Sequence, residues 1–498
     1  MHGDEKEIEL KGEIMASQEK KTFLQQVEVE VLPECDVVVA GGGTAGVIAA
    51  IAAARQGARV VLIERYGYLG GMVTAGNAGL TMYMKYSGNP EEHLRDERTL
   101  ETDPAAVQIA GGLAQEITER LLREKIGVGN ADTFGSYVFT ASEDFKRLLF
   151  LMMKESNVKL MLHSLLADVI REGNTVKGVV IESKSGRQFI PAECFVDATG
   201  DGDLAAKAGV PFAVGVTAED FCAALAGVGT MQPAGVMFKV GNCDLAKTMQ
   251  WLTENPHRFQ EHPFSRFSLE TVKRNFEKGD NAIMLVRYDT DDPDDWVQVY
   301  NLPQPGVVTL GCPCVYDIDG CNVEDLTRAE MAMAETVHKE IERIRAEIPG
   351  FENICLLDCP QIGVRETRHI RGRYVLNLKD ICEQRDFPDS IGFGSHPVDT
   401  KPRPAWLDDP KKAYPARWYF KIPYRCLVAE GVDNLLVAGR CVSATHEASG
   451  SIRPTVQCMI TGEAAGTAAA LSFREKTTPA TLDVTLLRTT LKKAGVLL

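Results

Sequence analysis

Residues 37–64 read VVVAGGGTAGVIAAIAAARQGARVVLIE, and few backbone arrangements accommodate them. Val37, Val38, Val39 and Ala40 are continuously apolar, as a strand buried on both faces of a parallel sheet requires. Gly41, Gly43 and Gly46 follow with the spacing G-x-G-x-x-G. An alanine-rich helix comes next, and then a second apolar run, Val60 to Ile63, that ends on Glu64. This is the order of a βαβ unit that binds a dinucleotide. Gly41 permits the tight turn, Gly43 lets backbone approach a pyrophosphate, and Gly46 allows helix to lie close on strand. The pyrophosphate then rests on free N–H groups at a helix N-terminus. Glu64, 18 residues beyond Gly46, stands at the tip of the second strand, where a carboxylate can accept hydrogen bonds from a ribose diol. Taken alone, the unit leaves open which dinucleotide is bound.

A chain of 498 residues has room for two or three domains with large cores. With 45% apolar and 25% charged residues its composition is that of an ordinary globular protein. No apolar run is as long as a membrane span, and the charged N-terminal stretch lacks the apolar core of a signal peptide, so a cytoplasmic location is expected. The net charge of −15 argues against nucleic-acid partners. Of the 13 cysteines, Cys35, Cys194, Cys441 and Cys458 lie in apolar runs, as small buried residues do. Cys312, Cys314 and Cys321, and the pair Cys355 and Cys359, lack the spacing of a zinc or iron–sulfur site, so no metal is expected and the thiols are read as reduced. The segment Leu10 to Ile14 can be encoded by a purine-rich ribosome-binding sequence just ahead of Met15, which makes Met15 a candidate start.

Beyond the first βαβ unit, Leu69 to Gly76 form a glycine-rich loop. Helical periodicity is present near 111–125, and a helix is predicted from Ser142 through Lys154, with Glu143 and Asp144 in its first turn. Val176 to Ile181 and Gln188 to Ile190 flank Ser185-Gly186, a hairpin signal. Cys194 to Val196 read as a strand entering the tight loop Asp197 to Asp203. Leu326 to Ala346 are a long helical stretch. Asn434 to Arg440 are strand then turn, and Thr455 to Leu471 are a helix rich in Ala and Gly.

Four stretches resemble a family of FAD-dependent oxidoreductases with the glutathione-reductase type of FAD fold, in its split-domain branch. They are Leu69-Gly70-Gly71-Met72, Asp197 to Asp203, Gly363 to Arg368, and the run from Ala438-Gly439-Arg440 to Ala470. The resemblance covers roughly 35 to 475 and is more distantly similar to fumarate reductase flavoproteins. It implies an α/β fold: an FAD-binding, Rossmann-like βαβ parallel sheet with a β-meander, plus an inserted α+β substrate domain. It also implies how the domains divide. Residues 1–34 would be a partly disordered extension; 35–85, 141–215 and 425–475 the FAD-binding domain; 86–140 and 216–424 the substrate or cap domain; and 476–498 a C-terminal tail. FAD rather than NAD fits the return of dinucleotide signals late in the chain, since an NAD site is finished within one contiguous domain. No second G-x-G-x-x-G in a strand–helix setting is present for NADPH.

Carried over residue by residue, the resemblance places FAD against Gly41, Gly43, Thr44, Ala45, Gly46, Glu64, Arg65, Gly71, Met72, Thr74, Ala167, Ala198, Thr199, Gly200, Asp203, Gly439, Arg440, Ile452 and Arg453. The late turn would set the flavin ring on a helix beginning near Arg453-Pro454, where proline suits the first turn and the helix dipole stabilises negative charge on the reduced ring. The loop Ala444 to Arg453 is similar in layout to the His-Gly-x-Asn-Arg loop of fumarate reductase flavoproteins, which implies that His446 faces flavin or substrate; a satisfied loop histidine is the other reading. Arg365 and Arg368, three apart, would share a face on a helix, where two guanidinium groups can hold a carboxylate or close an ion-pair network with Glu366 and Asp380. His396 can supply an acid or base, or belong to a surface loop.

The expected protein is a cytoplasmic FAD-dependent oxidoreductase. It transfers a hydride between a small organic metabolite and flavin N5, with an unidentified electron acceptor or donor, no nucleic acid, and a homo-oligomer as one possible state. The alternative is a flavin electron-transfer subunit of a larger redox complex.

Overall fold

The structure is a computed structural model that describes residues 23, 25–78, 80–81, 85–86, 107–129, 137–260, 268–292, 294–396, 398–401 and 419–498. Met15 and most of the expected N-terminal extension lie outside the described residues.

The apolar run of the first βαβ unit becomes strand β1 (Cys35–Ala40), buried at every position. Helix α1 (Thr44–Arg55) carries the chain to β2 (Val60–Ile63). Helices α2 (Gly112–Arg123) and α3 (Ser142–Glu155) follow, then β3 (Lys159–Met161), β4 (Leu165–Glu172), β5 (Thr175–Ser183) and β6 (Gly186–Asp197). The hairpin predicted at Ser185-Gly186 is present, with Ser183 opposite Gly186. The two strands expected after it are one. The first half of β6 pairs antiparallel with β5, and its second half pairs parallel with β1, Ala192 to Cys35 through Asp197 to Ala40. A single 12-residue strand thus joins the meander to the parallel sheet. Sheet order runs β4-β5-β6-β1-β2-β3.

The inserted unit is an antiparallel sheet of order β8-β9-β10-β11-β7-β12. Its strands are β7 (Ala234–Gly241), β8 (Phe259–Gln260), β9 (Met284–Arg287), β10 (Trp296–Asn301), β11 (Val308–Val315) and β12 (Cys355–Asp358). Helix α4 (Val323–Glu347) covers it. Its buried residues Ala329, Met333, Val337, Ile341 and Ile344 recur at three- and four-residue steps and make one apolar stripe. Asn322 caps it by accepting from the N–H groups of Glu324 and Asp325 at 2.9 and 3.3 Å.

The chain then returns to the first sheet. Strand β13 (Leu435–Val437) pairs parallel with the end of β6, on the side away from β1. Helices α5 (His446–Ile452), α6 (Thr455–Arg474) and α7 (Val484–Lys493) follow. Helix α6 lies directly on α1. A Cβ on Gly462 would come within 2.2 Å of the Ala45 carbonyl oxygen, and one on Gly466 within 2.0 Å of that of Ala49. The small-residue face expected on this helix is therefore a backbone-to-backbone contact.

Packing divides the chain differently from the expected boundaries. Leu113, Ile117 and Leu121 of α2 join the core of the first sheet, as do Leu376, Ile381, Phe387 and Ile391, although both stretches were assigned to the cap. The second core draws mainly on residues from Ala234 to Ile362. The expected tail carries α7, whose Leu487 and Leu491 are buried in the first core. Among the described residues, no helix is long and apolar enough to cross a membrane.

Candidate functional site

The turn after β1 brings three loops together. Gly41 has φ +98°, and a Cβ there would strike the Ala198 carbonyl at 2.4 Å. A Cβ on Gly46 would lie 1.8 Å from the Gly41 oxygen, so α1 can sit this close to β1 only with glycine. At Gly43 the space is open, with only the Gly71 Cα at 3.9 Å. Helix α1 has no side-chain cap and no acidic residue in its first turn, so N–H groups ahead of Val47, those of Thr44 and Ala45 among them, are left for an outside acceptor. Glu64 is buried at the tip of β2, where its carboxylate accepts from the N–H of Gly42 at 2.6 Å and of Tyr66 at 2.8 Å. Those bonds fix it facing the glycine turn and leave lone pairs for a diol.

The second loop follows β6. Asp197 is fully buried and accepts from Thr199 N and Oγ1 at 3.0 and 2.8 Å and from Ala205 N at 2.8 Å, which folds Ala198, Thr199 and Gly200 against the first turn. Burial pushes its pKa up to about 6 against those bonds. Ala167 sits at a bulge in β4: the register passes from Leu166 to Asp168 and leaves it without a ladder partner. Arg65 is exposed, stacked over Tyr66. The Thr74 hydroxyl donates to Leu69 O at 2.7 Å, closing the Gly70-Gly71 loop, and the Met72 side chain lies against Gly363.

Two side chains carried over as FAD contacts are engaged elsewhere. Arg440 donates to Asp201 Oδ1 at 2.7 Å and Thr367 Oγ1 at 3.1 Å. Asp203 holds Arg368 at 2.9 Å. Together they tie the second loop to the stretch after Gly363. Arg365 and Arg368 do not share a helix face, because Arg368–Ile370 is a strand paired with Phe212–Val214. The expected network with Asp380 is absent as well: that carboxylate accepts from Tyr374 OH and the Asn377 N–H near the start of its own short helix and pairs with Arg385. Arg365 instead donates to Pro233 O at 2.7 Å.

The third segment is 439–457. Gly439 N donates to Thr461 Oγ1 at 3.0 Å, which pins the turn after β13 to α6. Residues expected as a loop form α5, with His446 its first residue and Ile452 its last, buried one. Pro454 stands just before α6, and that helix also lacks a side-chain cap. Buried polar atoms are normally paired. Here the Ser443, Thr445 and Ser451 hydroxyls, Arg453 Nε and Gln457 Oε1 are buried without a partner. Such a concentration of unmet donors and acceptors, next to an uncapped helix, fits a polar group such as the flavin end of FAD.

Beside this segment lies a buried cluster. His446 is 1% exposed; its Nδ1 is 2.8 Å from Glu366 Oε1 and its Nε2 is 2.8 Å from Gln232 Nε2. His369 Nε2 reaches the same Glu366 oxygen at 2.6 Å, and Gln232 N donates to Glu366 Oε2 at 2.7 Å. Burial opposes charge on Glu366, but the bonds from His369 and His446 win and hold its pKa down at about 2. Burial also opposes charge on His446, while the bond and charge of Glu366 draw its pKa up. Glu447 accepts from Cys222 N at 2.9 Å and is hydrogen-bonded to Asp220, a carboxyl pair in which burial raises Glu447 and the bond from Glu447 helps keep Asp220 low.

A second group surrounds Asp399. Arg453 Nη2 is 2.6 Å from its carboxylate. Burial works against charge on Asp399, yet Arg453, His396, Arg365 and Lys401 hold its pKa at about 2. His396 is buried here rather than in a surface loop. The structure thus gathers His446 in one group and Arg365, Arg453 and His396 in a neighbouring one, and leaves Arg368 outside both. Sequence reasoning missed Gln232 and Asp220, and passed over His369, Glu447 and Asp399 as partners although they stand in the same stretches as Arg368, His446 and His396. Glu447 follows His446 directly, His369 closes the stretch begun at Gly363 and Asp399 lies three residues after His396, so those three carried a signal; Gln232 and Asp220 carried none. Among the described residues, no group of three or more His, Cys, Asp or Glu is placed to hold a metal ion.

The sequence profile of the family described as FAD dependent oxidoreductase matches residues 36–491. The chain belongs to this family. FAD is the cofactor of this oxidoreductase, and the glycine turns and the orphaned polar atoms near α6 fit it. No curated protein sequence matches the chain. Among solved structures it is similar to a geranylgeranyl bacteriochlorophyll reductase-like protein from Thermoplasma acidophilum, with 12% identity over 94% of this chain and 85% of that one and a TM-score of 0.44. It is also similar to p-nitrophenol 4-monooxygenase from Pseudomonas putida (14%, 93% and 84%, TM-score 0.45) and to the flavin-dependent brominase Bmp2 (14%, 93% and 83%, TM-score 0.42).

Proposed function

We propose that this FAD-dependent oxidoreductase exchanges a hydride with a small organic acid, held between the FAD-binding unit and the inserted sheet. The supporting observation is the group around Asp399: the guanidinium groups of Arg365 and Arg453, with His396 and Lys401, all act on its carboxylate, and Arg453 Nε is left without a partner. Such a gathering of cationic side chains favours an anionic substrate group, which a guanidinium can grip through two donors. When bound, the flavin supplies a two-electron acceptor or donor at N5. The chain's residues then have two tasks. Arg365 and Arg453 orient the carboxylate, and His446, buried against Glu366, manages the one proton the reaction moves. Electrons leave or arrive through a second partner.

The test is an anaerobic screen of small metabolites against the purified yellow protein, read by bleaching of the flavin absorbance. Bleaching by a carboxylate-bearing compound, with weaker binding after Arg453→Ala, supports the reading. Failure of every small molecule, combined with rapid reduction by a protein electron carrier, would instead support an electron-transfer subunit.

A further inference from the structure

The hydrogen bonds around Gln232 determine where the proton of His446 resides. The backbone N–H of Lys401 can only donate, and it points at Gln232 Oε1 at 2.8 Å. That atom must therefore be the amide oxygen, and the Gln232 atom 2.8 Å from His446 Nε2 must be the NH2 group, which can only donate. His446 Nε2 must then carry a lone pair. The single ring proton sits on Nδ1 and is donated to Glu366 Oε1 at 2.8 Å. Gln232 is 3% exposed, so water does not offer its amide a ready substitute partner. The backbone N–H of Gln232 also holds Glu366 Oε2, so one residue aligns both ends of the pair.

The charged groups facing His446 do not by themselves give this state. Glu366 comes from the stretch after Gly363, and its Oε1 is shared with His369 Nε2. Asp220 comes from the turn before Cys222, and Glu447 is the next residue on α5; Arg453, at the end of that helix, acts on Glu366. The carboxylates favour a doubly protonated ring. The amide of Gln232 opposes it, because a second proton on Nε2 would set two donors against each other.

We propose that Gln232 is a positioning residue that holds His446 as the neutral Nδ1–H tautomer and keeps its Nε2 lone pair as the acceptor for a proton from a hydroxyl-bearing substrate. This rests on the oxidoreductase reading above and narrows it to alcohol oxidation. A substrate hydroxyl replaces the Gln232 NH2 donor one for one at Nε2. In the reaction the C–H bond would break, its hydrogen leaving with the electron pair to the two-electron acceptor that bound FAD would supply. The O–H bond breaks and its proton goes to Nε2, and the C=O bond forms. The imidazolium produced is then stabilised by Glu366.

The experiment is 15N NMR of the full-length, FAD-loaded protein labelled at histidine, with the His446 signals identified by their loss in His446→Gln. At neutral pH and without substrate, Nε2 is expected in the unprotonated range and Nδ1 in the protonated range. In the near-isosteric Gln232→Glu, the carboxylate accepts from both Lys401 N and His446, so both ring nitrogens become protonated and the rate of flavin bleaching by a hydroxy acid falls about 100-fold. A protonated Nε2 in the wild-type protein overturns the proposal, as does an unchanged ring in Gln232→Glu. If that variant does not fold, the wild-type spectrum decides. The tautomer is read without substrate, so the wrong tautomer leaves the oxidoreductase reading standing. The right tautomer with no bleaching by any small molecule overturns that reading, and the proton-acceptor role with it, while the assignment of the ring proton stands.

Discussion

Gly462 and Ala45 meet backbone to backbone: the nearest atom to a methyl group at 462 would be the Ala45 carbonyl oxygen, 2.2 Å away. That oxygen belongs to the helix carrying the dinucleotide turn, so relief requires α1 and α6 to part. Gly462→Ala is expected to lower stability by about 3 kcal/mol, the upper end for overpacking, and to loosen FAD. Thermal unfolding with and without added FAD measures both.

Gly43 and Gly46 separate cofactor binding from folding. A side chain at 43 points into open space, whereas one at 46 collides with Gly41 O. Gly43→Val is expected to fold and purify colourless, because it fills the space a pyrophosphate needs. Gly46→Val is expected to fail to fold. Circular dichroism and flavin content distinguish the two outcomes.

Glu463 is a buried carboxyl within α6 that accepts from Leu113 N at 2.9 Å. Burial, only partly offset by that bond, raises its pKa from 4.5 to about 7. A raised carboxyl favours the fold while protonated. Its contribution is complete below about 4.5 and is lost as pH rises through about 7. Glu463→Gln is therefore expected to be near neutral at pH 4.5 and to stabilise the protein above pH 7 by about 1–3 kcal/mol, as urea titrations at the two pH values would show.

Glu366 has the opposite sign. Its pKa falls from 4.5 to about 2, so its stabilisation is present above 4.5 and disappears as pH drops toward 2. Glu366→Gln is expected to cost about 2–3 kcal/mol at neutral pH and to flatten the stability–pH curve over that acid window, as acid titrations of both proteins would reveal.

Arg365 and Arg368 are expected to behave differently despite their spacing. Arg368 is spent on Asp203 and on Asp201 O, and Arg365 is part of the group around Asp399. Once a substrate is in hand, Arg365→Ala is expected to raise KM at least about tenfold, the loss of roughly one charged hydrogen bond. Arg368→Ala is expected to lower Tm and leave KM unchanged. Steady-state kinetics with thermal unfolding tests the pair.

The parts of this fold that were legible in the sequence are those in which local pattern and tertiary environment agree. The apolar runs of β1 and β2, the hairpin at Ser185-Gly186 and the amphipathic stripe of α4 all specify themselves within a few residues. Helix α5 did not, because Ser449-Gly450-Ser451 lower the helix preference of this short segment, which is held by burial. Leu376 to Ile391 carry no period that says which core they join. The candidate site was half legible. His446, Arg365, Arg453 and His396 stood out as chemistry-bearing residues in unusual stretches. Their partners Gln232 and Asp220 come from segments distant in the chain, where a single polar residue has no pattern to announce it.

Helix α1 ends at Arg55 and the helix that seals it begins at Thr455, with the whole inserted sheet encoded between them. During synthesis the apolar faces of α1 and β1 emerge early and remain without their cover until α6 has left the ribosome. The inserted sheet, whose strands lie closer together in the chain, can close in the meantime. A polypeptide arranged this way exposes half of its nucleotide-binding core for most of its translation, at a translation rate of about 5–20 residues per second. Its yield in a cell thus depends on how long that half stays unaggregated, and chaperone supply or a slower-growing host is expected to matter more to it than to a flavoprotein whose cofactor unit is contiguous.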